Sequence, residues 1–156
     1  QDYYQEVAVA LVLRDFTRAA RAAGIMTHYI SDVAVFGHVM GAPTDWGVEV
    51  HHSDYENYVN GRTNSYIDDF NSFLAFDGSL DSRSAYNATL TLAYDTTFDN
   101  SGRERTAAWM DKNYNWDSSD FKDRAGHSIS LAVNLLADVL HTLSLQSPSG
   151  TAPQPA

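Results

Sequence analysis

Two histidines, each followed four residues later by an acidic residue, constrain this chain more than any other feature: His28 with Asp32, and His52 with Glu56. Residues four apart stand one above the other on a single face of an α-helix, so each pair can aim both side chains at one point. Each pair therefore predicts helix where it occurs. His38 lies between them. Gly37, Gly41, Pro43 and Gly47 punctuate the stretch around it, so the first helix is expected to end near Gly37 and the second to fold back against it. One His-x-x-x-Asp alone is commonly a surface ion pair. Two such pairs with a histidine between them make a ligand set, in which His28, Asp32, His38, His52 and Glu56 are the candidate metal ligands. Nitrogen and oxygen donors together suit Zn2+, whereas calcium takes oxygen alone and copper or iron–sulfur centres lean on sulfur. His51 adjoins His52 but points about 100° away around a helix, and reads as a rim histidine.

The rest of the chain reads as helix throughout, giving an all-α fold class. Residues 3–23 carry Val7, Leu11, Val12, Phe16 and Ala20 at helical spacing, with a kink at Gly24. The metal-bearing helix follows over 25–36. A third starts near Ser53 and continues past Gly61 through Ile67, Phe70, Phe73 and Leu74, to be closed by Gly78. Residues 84–94 form a fourth with Ser84 as N-cap, 99–102 a turn, 106–110 a short helix, and 121–145 a long one with Leu131, Leu135, Val139 and Leu143 on one face. The aromatic group Trp109, Tyr114, Trp116 and Phe121 reads as core cover. His127 and His141 are too far apart on the last helix to share an ion, and Asp95 reads either as a helix cap or as support for a metal ligand. Residues 1–145 make one domain; 146–156, rich in proline, serine and glycine, read as a linker or tail.

Composition narrows the partners. Twenty acidic against ten basic residues give a net charge of −10, which repels a phosphate backbone and argues against nucleic acid. With two lysines and no basic run, anionic membrane surfaces fit equally badly. Much of the acidity, Asp68, Asp69, Asp77 and Asp81 included, reads as a solvated face. No run of eighteen apolar residues marks a transmembrane segment. Asn87, in Asn87-Ala88-Thr89, is an N-glycosylation acceptor and a pointer to an extracellular or cell-surface setting.

The segments HYISD (28–32), His38 and HSDYEN (52–57) resemble the zinc-dependent phospholipase C family, whose pattern is His-Tyr-x-Gly-Asp, a histidine six residues on, then His-Ser-x-Tyr-Glu-Asn. Ser31 stands where that family usually has glycine. AYNATLTLAYDTTFD and AGHSISLAVNLLADVLHTL also look like its more distant, archaeal-type members. The resemblance implies a multi-helix bundle holding a trinuclear zinc cluster that hydrolyses phospholipids or small phosphodiesters. His38, His52 and Glu56 match the protein ligands of one zinc; His28 and Asp32 match ligands of a neighbouring zinc, with Asp32 bridging to a third. The family draws its remaining ligands from an amino-terminal half, including a terminal tryptophan, and none of these precedes His28 here. The chain thus reads as the carboxy-terminal part of the bundle, incomplete at its amino-terminal side, and as inactive by itself. Its first helix, apolar around most of its circumference, is expected to be covered through residues 1–23 by the missing half or by copies of the chain. The alternative is a metal-stabilised structural subunit, extracellular and filament-forming, without turnover.

Overall fold

The computed structural model describes residues 2–40, 48–63 and 72–146. Among them are seven helices and no strand: α1 (Asp2–Val12), α2 (Phe16–Asp32), α3 (Phe36–Met40), α4 (His52–Thr63), α5 (Ala85–Phe98), α6 (Ala107–Lys112) and α7 (Ser119–Leu145). The chain is all-α. Gln1, Gly41, Pro43, Gly47, Ile67, Asp68, Asp69, Phe70 and the tail from residue 147 lie outside the described residues.

Helix boundaries differ from the sequence expectations where side chains, not glycines, set the punctuation. The first helix breaks at residues 13–15, not at Gly24. Arg14 takes a φ of 58° and Asp15 caps α2, its side chain accepting the Arg18 N–H at 3.1 Å. Gly24 lies inside α2, which runs unbroken to Asp32. After a three-residue turn the chain re-enters helix as α3, so Gly37 and His38 are helical and not linker. The helix opening at His52 passes Gly61 to Thr63, and Phe73 and Leu74 belong to a turn. Ser84 is the N-cap of α5, accepting the Asn87 N–H, and Thr106 and Ser118 cap α6 and α7 in the same way.

Two hydrophobic clusters share α7. One gathers Val7 of α1, Ala22, Met26 and Ile30 of α2, Ala88 and Leu92 of α5, and Ala132, Leu135, Val139 and Leu143 of α7. The second gathers Phe36 and Met40 of α3, Tyr55 of α4, Ala107 and Met110 of α6, Trp116, and Phe121 and Ala125 at the start of α7. The expected aromatic cover is therefore core: Trp116 lies edge-on to Phe121 at 4.8 Å and stacks on Tyr58 at 3.9 Å. By length and composition alone α7 is apolar enough to cross a membrane, with a mean hydropathy of 1.4. Its buried residues serve both clusters, as the core helix of a bundle requires.

A buried ion pair ties the clusters together. The Asp95 carboxylate on α5, fully buried, accepts from Arg124 Nη1 at 3.1 Å, and Nη2 of the same guanidinium donates to the Asp95 carbonyl at 2.6 Å. Asp95 also accepts the Asn100 N–H, which fastens the loop after α5. Its carboxylate faces Arg124, the Asn100 N–H and His127, at the far end of α5 from the N-cap Ser84.

Candidate metal centre

The second cluster builds the site. Tyr55 anchors α4 from below, edge-on to Phe36 of α3 at 5.2 Å and stacked on Trp116 at 5.4 Å. Burial pushes the Tyr55 hydroxyl far above its usual pKa, so it stays neutral at any physiological pH. The start of α4 is fastened from α6: Asp111 Oδ1 accepts the backbone N–H groups of both Val50 and His51 at 2.9 Å. These contacts hold one face of α4 against α3.

On that face three of the five sequence-derived ligands converge. His52 and Glu56 come from successive turns of α4 and His38 from α3. Glu56 Oε1 lies 3.1 Å from His38 Nε2 and 3.0 Å from His52 Nε2, and the two nitrogens are 3.3 Å apart. The imidazole planes cross at 80° with centroids 4.4 Å apart. Zinc bonds of about 2.0–2.2 Å at tetrahedral angles set neighbouring donor atoms roughly 3.3–3.5 Å apart. The observed triangle is one face of such a tetrahedron, slightly contracted. Two nitrogens and one oxygen fit zinc; calcium, with its six to eight oxygens, does not fit.

His28 and Asp32 are not part of this group. They pair with each other at 3.5 Å, His28 being 70% exposed, and among the described residues no third histidine or carboxylate joins them in a ligand group. An exposed histidine with a carboxylate one turn further along the same helix face is an ordinary surface pair. His51 is half-buried, with its ring stacked on Tyr114 at 4.3 Å, and is less of a rim residue than its position in the sequence suggests. His127 approaches Asp95 at 3.5 Å, away from the triad. Asn87 is exposed in the first turn of α5.

Three residues of the site escape sequence reading. Asp111 lies sixty residues from the N–H groups it holds. Gly37 lies under the His52 ring: a Cβ there would come within 2.6 Å of His52 Cγ. Glu49 is the third, an acidic residue three positions before the first α4 ligand, its carboxylate accepting the His52 N–H at 3.2 Å. That spacing is the only local signal of the three.

Comparison with known proteins adds no relative: no family model matches the chain, and no curated protein or solved structure matches it significantly.

Proposed function

We propose that this chain is a zinc-binding, phospholipase C-like domain whose centre, His38, His52 and Glu56, serves hydrolysis of phosphodiesters of phospholipids or similar small substrates. The observation that carries the reading is the donor triangle with edges of 3.0, 3.1 and 3.3 Å, in which His38 meets His52 and Glu56, 14 and 18 residues away in sequence. The resemblance of HYISD and HSDYEN to the family supports it. Three protein donors leave a coordination position open, and zinc bound this way lowers the pKa of a water and polarises a phosphoryl oxygen. The contribution of the chain is placement: α3 and α4 fix the donors, and Tyr55, Phe36 and Trp116 keep the two helices from sliding. A single three-ligand group supplies only part of the charge that a phosphodiester transition state demands, so the chain alone is expected to turn over poorly. By the same resemblance His28 and Asp32 would supply two ligands of a second ion. Asn87, exposed on α5, is open to glycosylation in an extracellular or cell-surface setting.

Calorimetric titration tests this. One equivalent of Zn2+ is expected to bind the wild-type chain, with binding lost in His52→Ala and hydrolysis of a chromogenic phosphocholine ester slow in both. Absence of stoichiometric zinc binding overturns the reading, and fast zinc-dependent turnover by the chain alone overturns the expectation that one three-ligand group turns over poorly.

A second reading, a metal-stabilised subunit that assembles with copies of itself, is favoured by the surface. Val9, Val12, Leu13 and Phe16 around the α1–α2 corner are 44–66% exposed. Tyr86, Leu90, Tyr94 and Phe98 repeat every fourth residue along α5 and are equally open. The one charged residue of α5 is the buried Asp95, so this face carries no charge in a chain of net charge −10. Apolar, aromatic and uncharged surface is what two acidic copies can bring together without repulsion. Sedimentation equilibrium is expected to show concentration-dependent association that Leu13→Glu with Leu90→Glu reverses; a wild-type monomer of 17.3 kDa at all concentrations removes this reading.

A further inference from the structure

The His52 ring is enclosed on every side that matters to a ligand. Its Nε2 faces His38 and Glu56. One ring face lies on the Gly37 backbone, where no Cβ would fit. Its other nitrogen, Nδ1, stands 3.6 Å from Glu49 Oε1, while Glu49 Oε2 accepts the backbone N–H of the same residue at 3.2 Å. Both oxygens of one carboxylate thus serve a single histidine, one holding its main chain and the other facing its ring. At 3.6 Å the ring contact is longer than a hydrogen bond and becomes one on closing by a few tenths of an ångström.

We propose that Glu49 is the positioning residue of the centre, placed to accept the Nδ1–H of His52 when Nε2 of the same ring ligates a metal ion. A neutral imidazole carries one ring proton, and only the tautomer with that proton on Nδ1 can ligate through Nε2. A carboxylate beside Nδ1 favours that tautomer and makes Nε2 a stronger donor, and loss of such a partner typically costs 10- to 100-fold in metal affinity. The same carboxylate closes an N–H group that the first turn of α4 leaves without an intrahelical acceptor. Backbone and ring are thereby set together, which leaves the side chain little freedom to swing Nε2 away from Glu56. The proposal rests on the zinc reading above.

Glu49→Gln separates the two duties of the carboxylate. Its amide oxygen can still accept the His52 N–H, but its NH2 group turns a donor toward Nδ1–H. Thermal unfolding of the metal-free chain is expected to give essentially the same melting temperature in wild type and Glu49→Gln, because the bond to the His52 N–H is kept. Competition with a chromophoric chelator is expected to show zinc bound 10- to 100-fold more weakly by the variant. Unaltered zinc affinity in Glu49→Gln, with the wild type binding zinc, overturns the proposal and leaves the zinc reading standing. A wild-type chain that binds no zinc overturns the zinc reading and this proposal with it.

Discussion

Replacing Arg124 by methionine is expected to lower the unfolding free energy by about 3–5 kcal/mol, the usual cost of leaving a buried carboxylate without its partner. Arg124 is 4% exposed, and its guanidinium is committed on three sides: Nη1 and Nη2 to Asp95, Nη1 also to Ser128 Oγ, and Nε to the Arg105 carbonyl at 2.8 Å. Methionine fills the stem volume but supplies none of these donors. In a domain of this size the loss corresponds to roughly 6–20 °C in melting temperature. The double variant Asp95→Leu with Arg124→Met is expected to recover much of the deficit, since removing both charges removes the desolvation penalty along with the attraction. Denaturant unfolding of the three variants decides it: equal stability of Arg124→Met and wild type would mean that Asp95 finds water or another donor.

The same pair gives a pH dependence whose sign follows from Asp95. Burial alone would raise its pKa, but contact with His127, the Arg124 guanidinium and the Asn100 N–H outweigh burial and hold the carboxyl below the usual range. Asp99 is likewise held low: the Ser101 side chain and the backbone N–H groups of Arg105 and Ser101 overcome its burial. A carboxyl depressed in the folded state stabilises fully above its unfolded pKa of about 3.9 and loses that contribution as pH falls through the folded value. Stability is therefore expected to fall on acidification below about pH 4, and less steeply in Arg124→Met, where Asp95 has lost one source of its depression.

Local chemistry was legible in this sequence and distant chemistry was not. Ser84 could be read as the cap of α5 because a cap and its N–H group are three residues apart. The long last helix was legible from Leu131, Leu135, Val139 and Leu143 because periodicity is a local property. The break after α1 was missed because Leu13, Arg14 and Asp15 include no glycine or proline; Asp15 was its one local sign. The i, i+4 rule brought His52 to Glu56, yet the same rule gave His28 and Asp32 only each other. What distinguishes the two pairs is His38, delivered by the packing of α3 on the core under α4, and such packing leaves no local mark. Arg124 with Asp95, and Asp111 with the start of α4, join residues 29 and about 60 apart.

Gly37 shows how tertiary contact can reverse a residue's usual meaning, and Gly37→Ala is expected to weaken the proposed zinc site severely. Within a helix, glycine to alanine normally stabilises by up to about 1 kcal/mol. At Gly24, inside α2, nothing lies within 4 Å of the added Cβ, so Gly24→Ala is expected to raise stability by about 0.5–1 kcal/mol. At Gly37 the added methyl would meet Cγ, Cβ and Cδ2 of His52 at 2.6, 2.8 and 2.9 Å. The obstructing atoms include the root of the side chain, so a rotamer change cannot clear them, and α3 and α4 must separate. Overpacking of this kind costs typically 1–3 kcal/mol, more than helix propensity returns. Separation also carries His38 away from His52 and Glu56. A ligand set tolerates about 0.5 Å of displacement, so zinc affinity is expected to drop by 100-fold or more, beyond what loss of a supporting carboxylate produces. Denaturant unfolding and chelator competition on Gly24→Ala and Gly37→Ala should move in opposite directions in stability, with affinity lost only in the second. Unchanged stability and zinc affinity in Gly37→Ala would show that the two helices part without cost, and that the His52 ring is not held where the triangle of donors requires it.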